Sequence, residues 1–484
     1  MAASVSRWSR NLTFNQNAIS GLVVFFSAGI YLAVLGLGAG GGKPSSQHVS
    51  DVTNCSLYAV MAVGGFFTGS ILNRLGPKWT MTIGSAGYPF YVAGLFYYDR
   101  TGGQAFPIVG GVILGACAPM LWTVVMAIQW SYATEVEKGT YITVQYVLNL
   151  LGSTIGALVA FIIILKGTST ANGSPTAVYI TFIVLMFLGV ATAFFGLVAP
   201  KSVRRADNTP IAVFHMLPYK EELRGVVSAL QDWRVLAMLP VAFSTEFPIS
   251  IMPILNAHYF SLRTRALNSV IFYAIALPTA PLVTYLLDKL PYERTKRGLI
   301  TLSVATVVIV GGWVALIAWV TVSKTFATPP ELGVDWTDSN FAGPFVLYIF
   351  FGVVFTFHQL LGMWVMGALT NDPRKLSIYG GIWRGMAGAG LAVSFGLSAG
   401  GVSYKGQVIT FMTLQFLSLL IMFVIIGKYT NITNYGKEAD VVVPHYAEEK
   451  YHVHTVILDK SDTAEGINVD TTTEGYTLKE GVTA

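Results

Sequence analysis

Charge is what this sequence has least of. Lys, Arg, Asp and Glu make up 11% of its 484 residues, against about 25% in an ordinary soluble domain. Such a deficit excludes a water-soluble enzyme, a disordered chain and a coiled coil. Cysteine is nearly absent. Cys55 and Cys117 cannot by themselves build a disulfide scaffold or a zinc site, and Cys117, inside an apolar run, reads as a small core residue. The 49 glycines have no triplet period, which excludes a collagen-like chain. There is no Ser/His/Asp set at a recognisable spacing, no HExxH pair and no Walker loop. No segment is long enough for a nucleotide-binding domain. Neither an enzyme nor an ATP-driven pump is therefore expected, and no cofactor or metal. The net charge of +5 follows topology rather than one basic patch, so no nucleic-acid partner is expected.

What the sequence has is apolar length. Hydrophobic residues are 53% of the chain, and mean hydropathy is +0.59. A helix needs about 20 apolar residues to cross a hydrocarbon core. Twelve runs qualify: 17–38, 57–73, 79–98, 106–130, 141–165 and 177–199, then 235–255, 267–288, 298–322, 344–369, 377–399 and 407–427. The first is longer than the apolar core of a signal peptide and is expected to remain as a span. The fold class is thus an all-α, polytopic membrane protein of twelve transmembrane helices, with the bilayer as its first partner. Gly152 and Gly156 form a GxxxG pair, read as tight packing inside the bundle.

With the N-terminus in the cytoplasm, cytoplasmic segments carry 22 of the 30 Lys and Arg residues and outer loops carry 7, with Arg384 inside a span. That asymmetry puts both termini on the cytoplasmic side, in the plasma membrane or an endomembrane. The expected division is a short segment 1–16, a six-helix half 17–199, a basic linker 200–234, a second half 235–427 and a tail 428–484. The linker contains an amphipathic helix over 218–233. The tail, rich in Thr, Glu and Asp, reads as disordered, and removal of 435–484 is expected to leave folding and insertion intact. Asn54 and Asn172 head weak glycosylation sequons.

The halves look related. Ile71-Leu72-Asn73-Arg74-Leu75 follows the second span and Leu286-Leu287-Asp288-Lys289-Leu290 the eighth. Gly69-Ser70-Ile71-Leu72-Asn73-Arg74-Leu75-Gly76-Pro77-Lys78 resembles the loop signature after the second helix of major facilitator proteins, in which Gly69, Arg74, Gly76 and Lys78 match, Asn73 replaces an acid and Pro77 a basic residue. Three further stretches narrow the resemblance: Leu121-Trp122-Thr123 running on to Glu135-Val136-Glu137-Lys138-Gly139-Thr140-Tyr141, Arg263-Thr264-Arg265-Ala266-Leu267-Asn268-Ser269, and Met366-Gly367-Ala368-Leu369-Thr370-Asn371-Asp372-Pro373. Together they look like the uncoordinated-93-like branch of the superfamily, especially fungal members, over residues 15–430. The resemblance implies two six-helix halves and a gating loop whose acid belongs to a charge network closing the inner side. Here that network would draw on Asp288 and Arg294 of the second half rather than on Asn73. The resemblance also implies two functions. One is a secondary carrier of a small solute by alternating access, with proton coupling as an option. The alternative is a non-transporting regulator or trafficking partner of another membrane protein.

An ionised group inside a span costs at least about 2.5–3.5 kcal/mol, so it marks a candidate site. Glu246 lies midway along the seventh span beside Pro248 and Pro253, which can open the helix. His358 and Gln359 lie midway along the tenth. Arg384 lies inside the eleventh, placed either in a pathway or snorkelling to the surface. The first half offers only neutral groups: Tyr31, Trp122, Gln129, Gln145 and Asn149. Glu246, the only mid-depth acid, is the candidate proton carrier, a role that an adjacent ionised Arg384 would oppose.

Overall fold

The computed structural model describes residues 9–36, 47–166, 176–212, 219–323 and 333–456. Their architecture is helical, with isolated β-bridges and no strands among the described residues. Helix α1 spans Thr13–Leu35 with a π-helical turn at Phe25–Gly29. A continuous helical stretch, Gln47–Thr101, is broken at Gly76, whose φ is 74°. It divides there into α2 (47–75) and α3 (77–101). Glycine tolerates that backbone, and Pro77 then opens α3, where its missing N–H costs nothing. Next come α4 (Ala105–Ser131), α5 (Lys138–Lys166) and α6 (Thr176–Gly196). The linker contains α7 (Tyr219–Gln231), within the range expected for the amphipathic helix; residue 218 lies outside the described residues.

The seventh span is two helices, α8 (Trp233–Ser244) and α9 (Phe247–Tyr259), with a turn at Thr245–Glu246. After it come α10 (Leu262–Lys289), α11 (Arg294–Val322), α12 (Ala342–Ala368), α13 (Pro373–Ala399) and α14 (Tyr404–Tyr429). Asp232, Ser261, Asp372 and Ser403 cap α8, α10, α13 and α14 by accepting from first-turn amides. Ten described helical stretches are long and apolar enough to cross a membrane. One of them is the pair α2–α3, and the glycine-rich α13, with Arg384, is 27 residues long. Twelve membrane-length segments result, in two sets of six.

The two sets meet chiefly along α2 with α13 and α5 with α10. The first seam depends on absent side chains: a Cβ on Gly65 would lie 2.5 Å from the Gly385 backbone, and one on Gly69 would lie 2.7 Å from Ile378 Cα. Small residues are what let helices approach this closely in lipid. Gly152 and Gly156 pack within the first half, against Phe25 and Ala33.

Both chain ends of the described structure gather at one end of the bundle, here termed the basic end. The Arg204 amide donates to Asn11 O at 2.9 Å, and Ala212 bridges to Val441. The tail departs from the disorder expected of it. Residues 430–456 fold back onto this end, with Tyr435, Val441, Val443 and Ala447 forming a small buried cluster and His445–Tyr451 forming α15. Composition hid this, because four apolar side chains suffice when the rest of the segment is held by polar contacts. Residues 457–484 lie outside the described residues.

Candidate functional site

A cavity of about 60 Å³ lies between the halves at mid-depth. The first half contributes Tyr31, Tyr58, Tyr88, Trp122, Gln129, Gln145, Tyr146 and Asn149; the second contributes Glu246, Phe355, Gln359, Met363 and Arg384. The sequence therefore identified most of its polar wall. Glu246 reaches it because the α8–α9 break places the carboxylate at the first turn of α9, where Pro248 follows. Discontinuous helices of this kind expose polar backbone only where it lines a cavity.

Arg384 does not snorkel. Its side chain is 3% exposed and its Nη1 donates to Glu246 Oε1 at 2.5 Å. The guanidinium stacks 3.9 Å from the Trp122 ring centroid, an interaction that crosses between the halves. The pair is single-pointed, for Arg384 Nε is buried with no partner. Both amide atoms of Gln145 and the Oδ1 of Asn149 are also buried and unsatisfied. Such groups are rare in folded interiors and mark places where a ligand or water completes the bonding. Gln129 donates to the Met126 and Met363 sulfurs, and Gln359 accepts from Thr245 Oγ1 at 2.6 Å.

Two expectations change here. His358 is buried but outside the cavity wall: its Nε2 is 2.7 Å from Ser418 Oγ on α14. It is a core histidine bonded to a neighbouring helix through one ring nitrogen, with Nδ1 buried and unpartnered among the described residues. Asn54, head of a sequon, is 1% exposed and accepts from Tyr31 OH and Tyr91 OH at 3.2 and 2.8 Å, so it cannot hold a glycan. Asn172 lies outside the described residues. The tyrosine cluster around Asn54 was missed because isolated tyrosines in apolar runs give no periodic signal.

The basic end is closed by a second constellation. Asp288 on α10 accepts from Gly139 N (3.1 Å), Thr140 N (2.6 Å) and Thr140 Oγ1 (2.8 Å) at the start of α5. A carboxylate on exposed helix amides is a favourable placement. In the first half, Asn73 Oδ1 accepts from Ser377 Oγ at 2.7 Å near the start of α13. Gly69 allows the approach, Gly76 makes the turn, and Arg74 lines a larger cavity of about 420 Å³ beside Asn73. Lys78 turns toward α6, with Nζ 4.2 Å from the Phe194 ring.

Arg294 donates to Glu135 Oε1 at 3.3 Å, both side chains being buried. The same oxygen accepts from Asn371 Nδ2 (2.7 Å) and from the amide of Asn434 in the tail (2.8 Å). Lys138, 1% exposed, donates to Gly367 O, Thr370 O and Asn371 Oδ1. Glu438 of the tail accepts from the Asn371 amide at 2.7 Å and from Thr370 Oγ1. Burial pushes the Tyr435 phenol up to about 12. Glu135 and Lys138 lay inside a family stretch, yet their partners are up to 299 residues away. No local pattern could have paired them.

The opposite end is closed more simply. Ser398 Oγ donates to Asp51 Oδ2 at 3.0 Å, Tyr273 OH donates to Leu32 O at 3.0 Å, and Phe161 meets Trp336. Among the described residues, contacts between the two halves thus lie at both ends of the bundle.

These features match known proteins. The Major Facilitator Superfamily profile fits residues 18–328. An uncharacterized membrane protein of Schizosaccharomyces pombe is 39% identical, covering 91% of this chain and 89% of its own. An UNC93-like protein of the same yeast is 31% identical over 88% of this chain and 84% of its own. UNC93-like protein 1 of Arabidopsis thaliana is 30% identical over 90% and 95%. Among solved structures, the proton:xylose symporter XylE superposes with a TM-score of 0.60 at 10% identity, covering 86% of this chain and 97% of its own. The fucose:proton symporter FucP of E. coli gives 0.55 at 12%, with coverages of 86% and 98%. At such identities these two show the shared fold alone. By fold, profile and relatives together, the chain belongs to the major facilitator superfamily, in its UNC93-like branch.

Proposed function

We propose that this protein is a secondary carrier that moves a small solute by alternating access, with the central cavity as its binding site. The observation carrying this reading is the cavity wall: buried, unsatisfied polar groups from both halves converge there, with an ion pair beside them. The contacts at the two ends act as alternate gates, Asp288, Arg294 and Glu135 at the basic end and Asp51 with Ser398 at the other. The basic end faces the cytoplasm, as the Lys and Arg distribution argues; tags on both termini, probed in sealed cells, test that sidedness.

Glu246 works as half of a pair with Arg384 rather than as an isolated proton carrier. The deciding experiment is uptake and efflux in liposomes containing the purified protein, with and without an imposed proton gradient. Solute movement that needs the protein and ignores the gradient supports the reading. Acceleration by the gradient that Glu246→Gln removes would return the proton to the mechanism. A second reading, a non-transporting partner of another membrane protein, draws support from the small size of the cavity and the tail fastened across the basic end. Absence of movement for every solute tested, with a stable complex recovered from native membranes, favours it.

A further inference from the structure

The chemistry of the pair points to a class of solute, an inference that rests on reading the central cavity as the binding site. Glu246 and Arg384 both belong to the second half and cancel each other's charge through one contact, Nη1 to Oε1. Each keeps bonding capacity in reserve. Arg384 Nε has no partner, and the Glu246 side chain is 11% exposed where it lines the cavity. Across the cavity, the Gln145 amide and Asn149 Oδ1 of α5 have neither donor nor acceptor supplied. Trp122 holds the guanidinium from its face, leaving its Nε edge for an in-plane acceptor.

Consider what each kind of solute would do to that pair. A lone cation that takes Glu246 strands Arg384, buried and unpaired. A lone anion that takes Arg384 strands Glu246. Removing one partner of a buried pair is strongly unfavourable. A neutral polyol leaves the pair closed and Arg384 Nε without a charged acceptor. A zwitterion replaces both partners at once, its carboxylate on the Arg384 edge and its ammonium on Glu246, so no charge is left alone. Its remaining N–H groups then meet Gln145 Oε1 and Asn149 Oδ1 in the first half, which ties the two halves through the solute.

We propose that the protein binds a small zwitterion bearing an ammonium and a carboxylate on one carbon, clamped between the Glu246–Arg384 pair and the Gln145 and Asn149 amides. The cavity size, about 60 Å³, commits the site to the smallest members of that class.

Four small compounds separate the charges: alanine, isopropylamine, isobutyrate and glycerol. Ligand binding raises the unfolding temperature in proportion to occupancy, so the full chain in detergent is heated with millimolar concentrations of each. Alanine is expected to stabilise at about tenfold lower concentration than the other three. The double variant Glu246→Gln/Arg384→Gln, which leaves no buried charge unpaired, is expected to fold and to lose the alanine response. Gln145→Ala is expected to weaken it while leaving the order of the four compounds unchanged. Stabilisation by isopropylamine, isobutyrate or glycerol equal to that by alanine overturns the proposal, as does a double variant that still responds. Uptake of alanine into liposomes separates the two readings. Stabilisation without uptake keeps the zwitterion site and overturns carriage, whereas uptake of glycerol with no alanine response keeps carriage and overturns the zwitterion.

Discussion

Two helix ends in corresponding positions, 71–75 of α2 and 286–290 at the end of α10, meet the other half at the same end of this molecule with different chemistry. Asp288 brings a full charge to the start of α5 and collects three hydrogen bonds, and Gly139 makes room for it, since a Cβ there would lie 2.7 Å from the carboxylate. Asn73 brings no charge to the start of α13, where its amide oxygen accepts from Ser377. The packing follows the chemistry. The helix end with the carboxylate is tight, and the one with the amide borders a cavity of about 420 Å³, lined in part by the linker and the tail. The charged network missing from the first helix end reappears nearby, on Glu135 and Lys138 of the first half with Arg294, Asn371 and the tail. The charged contacts between the halves at this end are therefore carried by neighbours of the motif rather than by the motif position itself.

That comparison can be broken at its strongest point first. Glu135→Ala leaves Arg294 buried without its anion and releases Asn371 and Asn434, so a loss of about 3–5 kcal/mol is expected. Thermal unfolding in detergent reads it, and an unchanged midpoint would refute the assignment of the network.

Asp288→Asn makes the second helix end resemble the first. Losing the charge from the α5 amides should cost about 2–3 kcal/mol. The same variant should also expose the central cavity from the basic end, read as faster alkylation of a cysteine placed at Met363.

Ending the chain after Tyr429 removes the contacts of Asn434 and Glu438. Ordering the tail has an entropic cost that offsets part of them, so about 1–2 kcal/mol of destabilisation is expected. A truncated protein that unfolds at the full-length temperature would mean that the tail merely rests on the surface.

Asn73→Asp sharpens the comparison from the other side. A carboxylate near the α13 N-terminus should gain about 0.5–1 kcal/mol at low salt, and high salt should erase the gain.

The opposite end provides the control. There the Arg263 guanidinium beside Asp335, on an exposed loop, holds that carboxyl well below the usual carboxylate range. A depressed pKa contributes stability that is present above the ordinary carboxylate range and is lost as pH falls through the lowered value. Solvent screens the pair, so acid titration of Asp335→Asn against the parent should differ least of all these tests, and only at strongly acidic pH.

Much of the central site was legible in the amino-acid sequence. Ionised groups in apolar spans are so costly that Glu246 and Arg384 stood out individually, and the prolines beside Glu246 announced a break that the α8–α9 turn bears out. Their partnership was not legible, because the two are 138 residues apart and a span's sequence does not say which face meets which neighbour. His358 shows the same gap in reverse: its depth suggested the cavity, and its rotation about α12 gave it to Ser418. The tail misled for a different reason. Its composition is that of a disordered segment, and its order comes from acceptors and donors that only the folded bundle presents.

The sequence by itself determined the solvent, the number of membrane-length helices and the six-and-six division, since the energy of placing apolar and charged residues in lipid is set residue by residue. The tertiary structure alone decided which charges face each other, which polar groups meet at the central cavity and that residues 430–456 are fastened to the basic end. Those outcomes depend on distances between residues far apart in the chain, and on buried polar groups whose energy is set by the partner they find.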